Sequence, residues 1–379
     1  MNALPYISLV IICFMIHYYS NSAVIVRKAN DVFIFVFLII FFCFRGYVFT
    51  DYLVYKPWFE NILSDVTIVV GHNTWPWFEK GFVLYSSIIK YFTEEYLIYQ
   101  LIDGIVDVLV LSICLKYFEA RRPINVMIFF AMSGMVMFFD TLRNSKAILI
   151  FFYSLRYIND RKPVRYYLCC LLAFYFHSSG IIYFLCYPFL RRKINRNWYI
   201  VFCILSFFMG LFSSLFLKLL FLPLRYVLPL HFAELIQTYV FKASDYSTSR
   251  FISFGVIEKF LSLILIIVNF EKLKKDKQTY LLIKVFLLYF CSYFILSGLK
   301  EISNRISMLF ICSYWVLIPR IILAQKKNTQ PIYAICILFY CVLKMGLYSK
   351  PLQVYENWLF GSISSYEQRK QIIERTYHE

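Results

Sequence analysis

The sequence predicts an all-α fold, a polytopic bundle of membrane-spanning helices, on three observations. The 379 residues are 61% hydrophobic and 21% aromatic against 16% charged, whereas a soluble domain is about half apolar and about a quarter charged. Long apolar stretches recur from Leu4 to Tyr348 with short charged loops between them, so no soluble domain of ordinary size can be cut out. The basic residues gather between those stretches, at Arg27-Lys28, Arg121-Arg122, Arg161-Lys162 with Arg165, Arg191-Arg192-Lys193 with Arg196, Lys272 to Lys277, and Lys326-Lys327. Lysine and arginine placed this way hold loops on the cytoplasmic side.

The first apolar run, MNALPYISLVIICFMIHYYS, has no basic segment ahead of it and no small-residue cleavage site, so it reads as a retained helix entered from outside. Crossing at each later run predicts helices over 4–20, 32–49, 96–118, 126–140, 143–158, 166–177, 178–190, 198–220, 251–270, 280–298, 305–323 and 331–348, about twelve crossings. This alternation puts all six basic clusters inside and the two longest loops, 50–95 and 221–250, outside. Both termini then lie outside, residues 1–348 form one membrane domain, and 349–379 form a periplasmic tail.

Four consecutive helices between 126 and 190 are only 12 to 16 residues long, where a crossing needs roughly 20. A single pass over 166–190 would put one of two basic segments, 159–165 or 191–197, on the outside. Two short hairpins are therefore expected, with tips DTLRN and FHSSG below the outer surface and a funnel open to that side. In loop 50–95 the stretch GFVLYSSIIKYF is apolar but too short to span, and it predicts a re-entrant or interfacial helix. In loop 221–250, LRYVLPLHFAELIQTYVF alternates apolar and polar positions, as a helix on the membrane surface does.

The formal charge of +17 does not argue for nucleic acid, because the basic residues are not interleaved with exposed aromatics along a groove. The eleven cysteines all fall inside apolar stretches, which predicts small packing residues rather than disulfides. No nucleotide-binding loop, nucleophile elbow or metal-ligand spacing is visible, and His72 and His231 lack ligating neighbours. The reading therefore includes no cofactor and no metal, and any transferase here must take a pre-activated donor delivered in the membrane.

Charges at the outer hydrocarbon boundary are the candidates for chemistry, since burying them alone is costly. Arg45, Asp51, Glu79, Asp140, Arg143, His177, Arg250 and Arg305 map to that level, and for each the plainer reading is snorkelling or topology setting. Arg143 stands out because it lies in a tip between two short helices, beside Asp140 and Lys146. Arg143, Arg45 and Arg305 converging on one cavity would suit a pyrophosphate, each offering a planar fork that stays ionised. Separate pairing with Asp51, Asp140 or Glu301 is the alternative. His177 could accept a proton from a hydroxyl or donate to a phosphate, or simply be a hydrogen-bonded packing residue. Asp103 and Asp107, at i and i+4, share one helix face inside the membrane. They suggest a proton path or, preferably, ion pairs to a lysine such as Lys146 or Lys259.

Four blocks resemble a known group: FRGYVFTDYLVYKPWF at 44–59, EKGFVLYSSI at 79–88, LRNSKAILIFFYSLRYINDRKPVRYYLCCLLAFYFHSSGIIYFL at 142–185, and SNRISMLFICSYWVLIPRI at 303–321. Together they are similar to the Wzy-type O-antigen and exopolysaccharide repeat-unit polymerases, in particular the EpsG-like branch. The middle block carries most of the likeness, with an arginine-headed helix, a basic turn and an Ala-x-x-x-His-Ser-type break in sequence. The resemblance implies a GT-C-like membrane glycosyltransferase of the bacterial inner membrane, inverting and metal-independent. It would act on undecaprenyl-pyrophosphate-linked oligosaccharides, in lipid, with a chain-length regulator and flippase as pathway partners and no nucleic acid. The matching positions are Arg143 and His177 in the middle block and Arg45, Asp51, Tyr55, Glu79 and Arg305 in the flanking ones. The roles that suit them are pyrophosphate binding for Arg143, Arg45 and Arg305, sugar binding for Tyr55 and, outside the blocks, Arg250, and proton acceptance for His177 or, failing it, Asp51 or Glu79. An O-antigen ligase would use the same donor, and a lipid-linked repeat-unit flippase would share the topology. The flippase should show two related halves around a midplane site, and the sequence shows neither.

Overall fold

A computed structural model of the chain describes residues 2–19, 24–62, 78–120, 122–212 and 253–378. Among them all regular structure is helical, apart from one isolated antiparallel bridge between Arg45 and Asn357. The predicted surface helix in 221–250, with Arg250, lies outside the described residues.

The chain divides into two compact units, Met1–Tyr187 with Gln325–Glu379, and Pro188–Ala324. The helices of the first are α1 (Leu4–Tyr19), α2 (Val24–Cys43), α3 (Tyr52–Asn61), α4 (Lys80–Lys90), α5 (Tyr96–Tyr117), α6 (Pro123–Asp140), α7 (Leu142–Asn159) and α8 (Pro163–Phe176). A 3₁₀ turn, Ser178–Ile182, leads to α9 (Tyr183–Arg191), within which the division falls. The second unit holds α10 (Arg196–Leu211), α11 (Phe254–Leu273), α12 (Lys277–Ile295), α13 (Lys300–Met308) and α14 (Cys312–Leu323). The chain then returns to the first with α15 (Gln330–Gly346) and α16 (Tyr366–His378).

Among the described residues three helices, α5, α6 and α12, are long and apolar enough to cross a bilayer, and α13 with α14 add a fourth if that pair, bent by 63°, is one span. Five more apolar helices among the described residues are shorter. The shortness expected between 126 and 190 holds for α8 and α9 but not for the two helices before them. α6 runs for 18 residues across a π turn at Phe130–Gly134, where Met132 and Ser133 leave helical geometry. α7 also runs for 18 residues; its Arg143, Lys146 and Arg156 lower its hydropathy and hide its length from an apolar-run reading. Large apolar side chains face outward at helical spacing, as at Ile332, Ile335, Phe339 and Leu343 of α15, a face that suits lipid rather than water. All eleven cysteines are free and lie on helices.

The residues read as a tail, 349–378, are a structural part of the first unit. A helix leaves its last carbonyls unpaired, and at the end of α2 side chains of this segment supply donors. Asn357 Nδ2 donates to Ile40 O at 2.7 Å and Tyr355 Oη to Phe41 O at 2.8 Å, while Tyr355 stacks on Phe41 at 4.4 Å. The loop after α2 is held along most of its length: the Gly46 amide donates to Glu356 O, the Phe49 amide to Leu352 O, and the Trp358 amide to Phe44 O. Arg369, 2% exposed, donates to Tyr47 O at 2.6 Å and also to Val354 O. On the other side the Thr50 and Asp51 amides donate to Asp140 Oδ1 at 2.9 and 2.7 Å.

Within the second unit, Gly210 lets α10 approach α12, where an added Cβ would stand 2.7 Å from Phe294 O. Buried Lys284 donates to Leu190 O and Arg192 O. Asp276 caps α12 by accepting from the Thr279 amide at 2.9 Å, and Arg320 of α14 closes on the same carboxylate.

Candidate active site

Thr141, with φ −138° and ψ 53°, stops α6 and restarts the chain as α7. This places Arg143 in the first turn of α7, facing α3 and α4. Its Nη1 donates to Glu79 Oε2 at 2.7 Å and its Nε to the Tyr55 hydroxyl at 3.0 Å. The guanidinium also lies over the Phe78 ring, 4.6 Å from its centroid, and Phe78 stacks on Trp58 at 4.3 Å and 10°. Two directed bonds and a π face fix the plane of the fork as well as its position.

Glu79 is the hub. Its second oxygen, Oε1, accepts from the Ser178 amide at 2.8 Å, so one carboxylate ties the tip bearing Arg143 to the tip bearing His177. Two glycines make that approach possible. A Cβ at Gly81 would stand 2.7 Å from Tyr175 O near the end of α8, and one at Gly180 2.7 Å from the backbone of Ala173. Neither needs a positive φ; both are required for space. Burial pushes the Glu79 carboxyl up, but Arg143, the Ser178 amide and His177 together outweigh it and hold it below the usual glutamate value. Burial pushes the Tyr55 hydroxyl up, so it stays a neutral phenol. The Arg143 and Glu79 side chains remain 25% and 17% exposed, open to a ligand yet weakly screened.

His177 leaves α8 in an extended conformation, φ −154° and ψ 129°. Its Nδ1 accepts from the Ser179 amide at 3.3 Å and stands 2.6 Å from Ser179 Oγ. With Nδ1 accepting, a neutral ring carries its proton on Nε2 and is a donor there. This geometry favours the phosphate-donor role over the proton-acceptor role.

The other sequence candidates are placed differently. Asp51 stands just before α3, half-buried, with its amide on Asp140. Asp140 is thus committed to the loop before α3, and Arg143 takes Glu79 instead. Arg45 is 2% exposed, with Nη1 donating to Phe42 O at 2.6 Å and its guanidinium 5.0 Å from the Phe139 centroid. Among the described residues neither of these contacts joins it to the Arg143 cluster. Arg305 is exposed in the last turn of α13, in the second unit. Arg250 lies outside the described residues. Sequence reasoning missed the Phe78–Trp58 stack, the bond from the Ser178 amide to Glu79 and the spacing role of the two glycines; the visible signals were the Glu-Lys-Gly-Phe run at 79–82 and the His-Ser-Ser-Gly break at 177–180.

The preferred pairing of Asp103 and Asp107 is present. Lys146 Nζ is 2.8 Å from Asp103 Oδ1 and 2.8 Å from Asp107 Oδ1, which locks α7 to α5 one turn beyond Arg143.

No curated protein and no solved structure matches the chain. A family model described as EpsG family matches residues 28–359, a span that takes in Tyr55, Glu79, Arg143 and His177, and this membrane protein belongs to the EpsG family.

Proposed function

We propose that the chain is a repeat-unit polymerase that joins polyprenyl-pyrophosphate-linked oligosaccharides at the outer face of the cytoplasmic membrane through Arg143, Glu79, Tyr55 and His177. The observation that carries this reading is the Arg143 fork, oriented by Tyr55 and Phe78 and paired with the Glu79 carboxylate while a quarter of its side chain stays exposed. An arginine held this way can exchange its carboxylate for the oxygens of a diphosphate.

In the transfer, a hydroxyl of the incoming repeat unit attacks the anomeric carbon of the growing chain. A new carbon–oxygen bond forms there as the bond to the pyrophosphate oxygen breaks, and that electron pair leaves with the lipid pyrophosphate. Arg143 stabilises the charge developing on the leaving oxygens, with the His177 Nε2 proton as a second donor. The hydroxyl proton passes to Glu79. Once a diphosphate has taken Arg143, the carboxylate loses a partner that holds it low and becomes a better base. Every step uses protein side chains and a pre-activated donor, with no metal.

The test is glycan gel banding in a deletion strain complemented with Arg143→Ala or His177→Ala. Both are expected to insert in the membrane and to leave single repeat units where the wild type makes long polymer; wild-type chain length in both overturns the reading. A ligase would instead leave long polymer on its lipid carrier, and a flippase would leave lipid-linked units untransferred at the inner face.

A further inference from the structure

Beneath Arg143 the first unit buries three charges whose sum is not zero. Asp103 and Asp107 of α5 and Lys146 of α7 are 2%, 1% and 5% exposed, and both carboxyls lie 2.8 Å from the one ammonium. With all three ionised the cluster would carry one uncompensated negative charge, about 10 to 17 Å along a helix of about 33 Å, where water cannot relieve it. The groups that face the cluster do not balance it. α2 brings the Cys43 thiol, close enough that a Cβ on Gly104 would meet its sulfur at 2.9 Å. α4 brings the Tyr85 ring, 5.7 Å from the ammonium, and α5 also brings Tyr99, whose hydroxyl is 3.0 Å from Ser86 Oγ. Arg45, beyond the end of α2, is directed at Phe42 O and Phe139.

Hydrogen counting points the same way. Ser145 Oγ is 2.7 Å from Leu142 O and 3.1 Å from Asp107 Oδ2. A hydroxyl has one hydrogen, and Leu142 O, a carbonyl, can only accept. The shorter contact therefore takes the serine proton, and the longer one lacks a hydrogen unless the carboxyl supplies it.

We infer that Asp107 holds a proton, donated from Oδ2 to Ser145 Oγ, so that the cluster is neutral as an Asp103 carboxylate, a Lys146 ammonium and an Asp107 acid. The proton removes a negative charge that would otherwise sit against Lys146, which is three residues, about 4.5 Å of helix rise, beyond Arg143. Its consequence rests on the polymerase reading: Asp107 is a positioning residue that fixes the face of α7 and leaves the positive field of Arg143 for phosphate.

The experiment is infrared spectroscopy of the full-length protein in lipid nanodiscs, wild type minus Asp107→Asn, with and without exchange into D₂O. The expected difference is one protonated carboxyl band present in the wild type and missing in the variant. Loss of carboxylate bands alone would show both aspartates ionised and overturn the inference. Should Asp107→Asn not fold, Ser145→Ala keeps the question open to measurement: removing the acceptor should move the acid band to higher frequency, and an unmoved spectrum overturns the assignment. In cells Asp107→Asn, a neutral isostere, is expected to keep long polymer and Asp107→Ala to shorten it; equal loss in both overturns the positioning role. The band surviving while Arg143→Ala still makes long polymer would leave the proton standing and reject the polymerase site.

Discussion

Replacing Gly81 by alanine tests whether the site depends on the distance between α4 and α8. Helix propensity alone predicts a gain, since alanine is about 1 kcal/mol better than glycine inside a helix. The structure reverses the sign. The new Cβ would stand 2.7 Å from Tyr175 O, 2.8 Å from Tyr175 Cβ and 2.9 Å from Tyr175 C, and ordinary contact begins at 3.4 Å, so α4 must retreat by about 0.7 Å. The obstacle is largely backbone and cannot swing away. A displacement of that size applied to Glu79, two residues ahead, stretches its 2.8 Å bond to the Ser178 amide toward the limit of hydrogen bonding. Overpacking costs roughly 1 to 3 kcal/mol, so the net loss of stability is small, a few degrees in melting temperature. The geometric loss is larger, because misplacing a catalytic group by about 1 Å costs on the order of 10²-fold in rate. Polymer formation by purified protein on lipid-linked repeat units should fall by about that factor while thermal unfolding moves little. Wild-type polymerisation by Gly81→Ala would refute the claim that the Glu79 bridge needs this spacing.

Three further outcomes are expected. Arg143→Lys keeps the charge but cannot donate from two rigid positions or stack flat on Phe78, so its polymer should resemble that of Arg143→Ala on glycan gels; full-length polymer would show that charge alone suffices. Because the folded state holds the Glu79 carboxyl below its ordinary value, the stability it contributes is present above the unfolded value of about 4.3 and is lost as pH falls through the folded one. The melting-temperature difference between wild type and Glu79→Gln should then be flat from about pH 6 to 8 and shrink only in acid, and a difference that grew in acid would reverse the sign. Arg369→Met strips the charged donor from Tyr47 O and Val354 O, a loss of about 3 kcal/mol or more. Thermal unfolding should register it, and an unchanged melting curve would return 349–378 to the status of a tail.

How much of this was legible in the sequence depended on how far apart the partners lie. Composition and charge asymmetry made the all-helical membrane protein readable without any pairing information. The pairing of Asp103 and Asp107 with a lysine is legible because an i, i+4 pair of acids in an apolar helix demands a cation; the sequence offers Lys146 or Lys259, and the structure places Lys146 there. Arg143 is recognisable from its place in a tip between two helices, but its partner is not: Asp51, Asp140 and Glu301 are the acids the sequence offers for pairing, whereas the chain reaches 64 residues back to Glu79. That preference follows from Asp140 being occupied by the Thr50 and Asp51 amides, a tertiary fact with no local signature. The segment 349–378 reads as a tail because it follows the last apolar run. Its anchors, Tyr355, Asn357 and Arg369, act on backbone carbonyls, and a sequence carries no mark of which carbonyls lack donors.

The block FRGYVFTD at 44–51 then acquires a different meaning from the one its arginine suggests. Phe49 sits at φ 67°, a conformation that costs a bulky residue of order 1 kcal/mol or more and persists only where its surroundings over-determine it. Here they do, because Leu352, Glu356 and Trp358 hold one side of the loop and Asp140 the other. α3 begins immediately afterwards at Tyr52, so the clamped loop sets the direction in which α3 carries Tyr55 toward Arg143 Nε. Arg45 contributes to this by donating to Phe42 O and packing on Phe139, with its charge spent inside the protein. Arg45→Met should therefore weaken polymerisation together with thermal stability, whereas Arg143→Lys should weaken polymerisation alone. A variant of Arg45 that kept its melting temperature and lost affinity for lipid-linked substrate would instead make it a phosphate ligand, and the clamp would need another explanation.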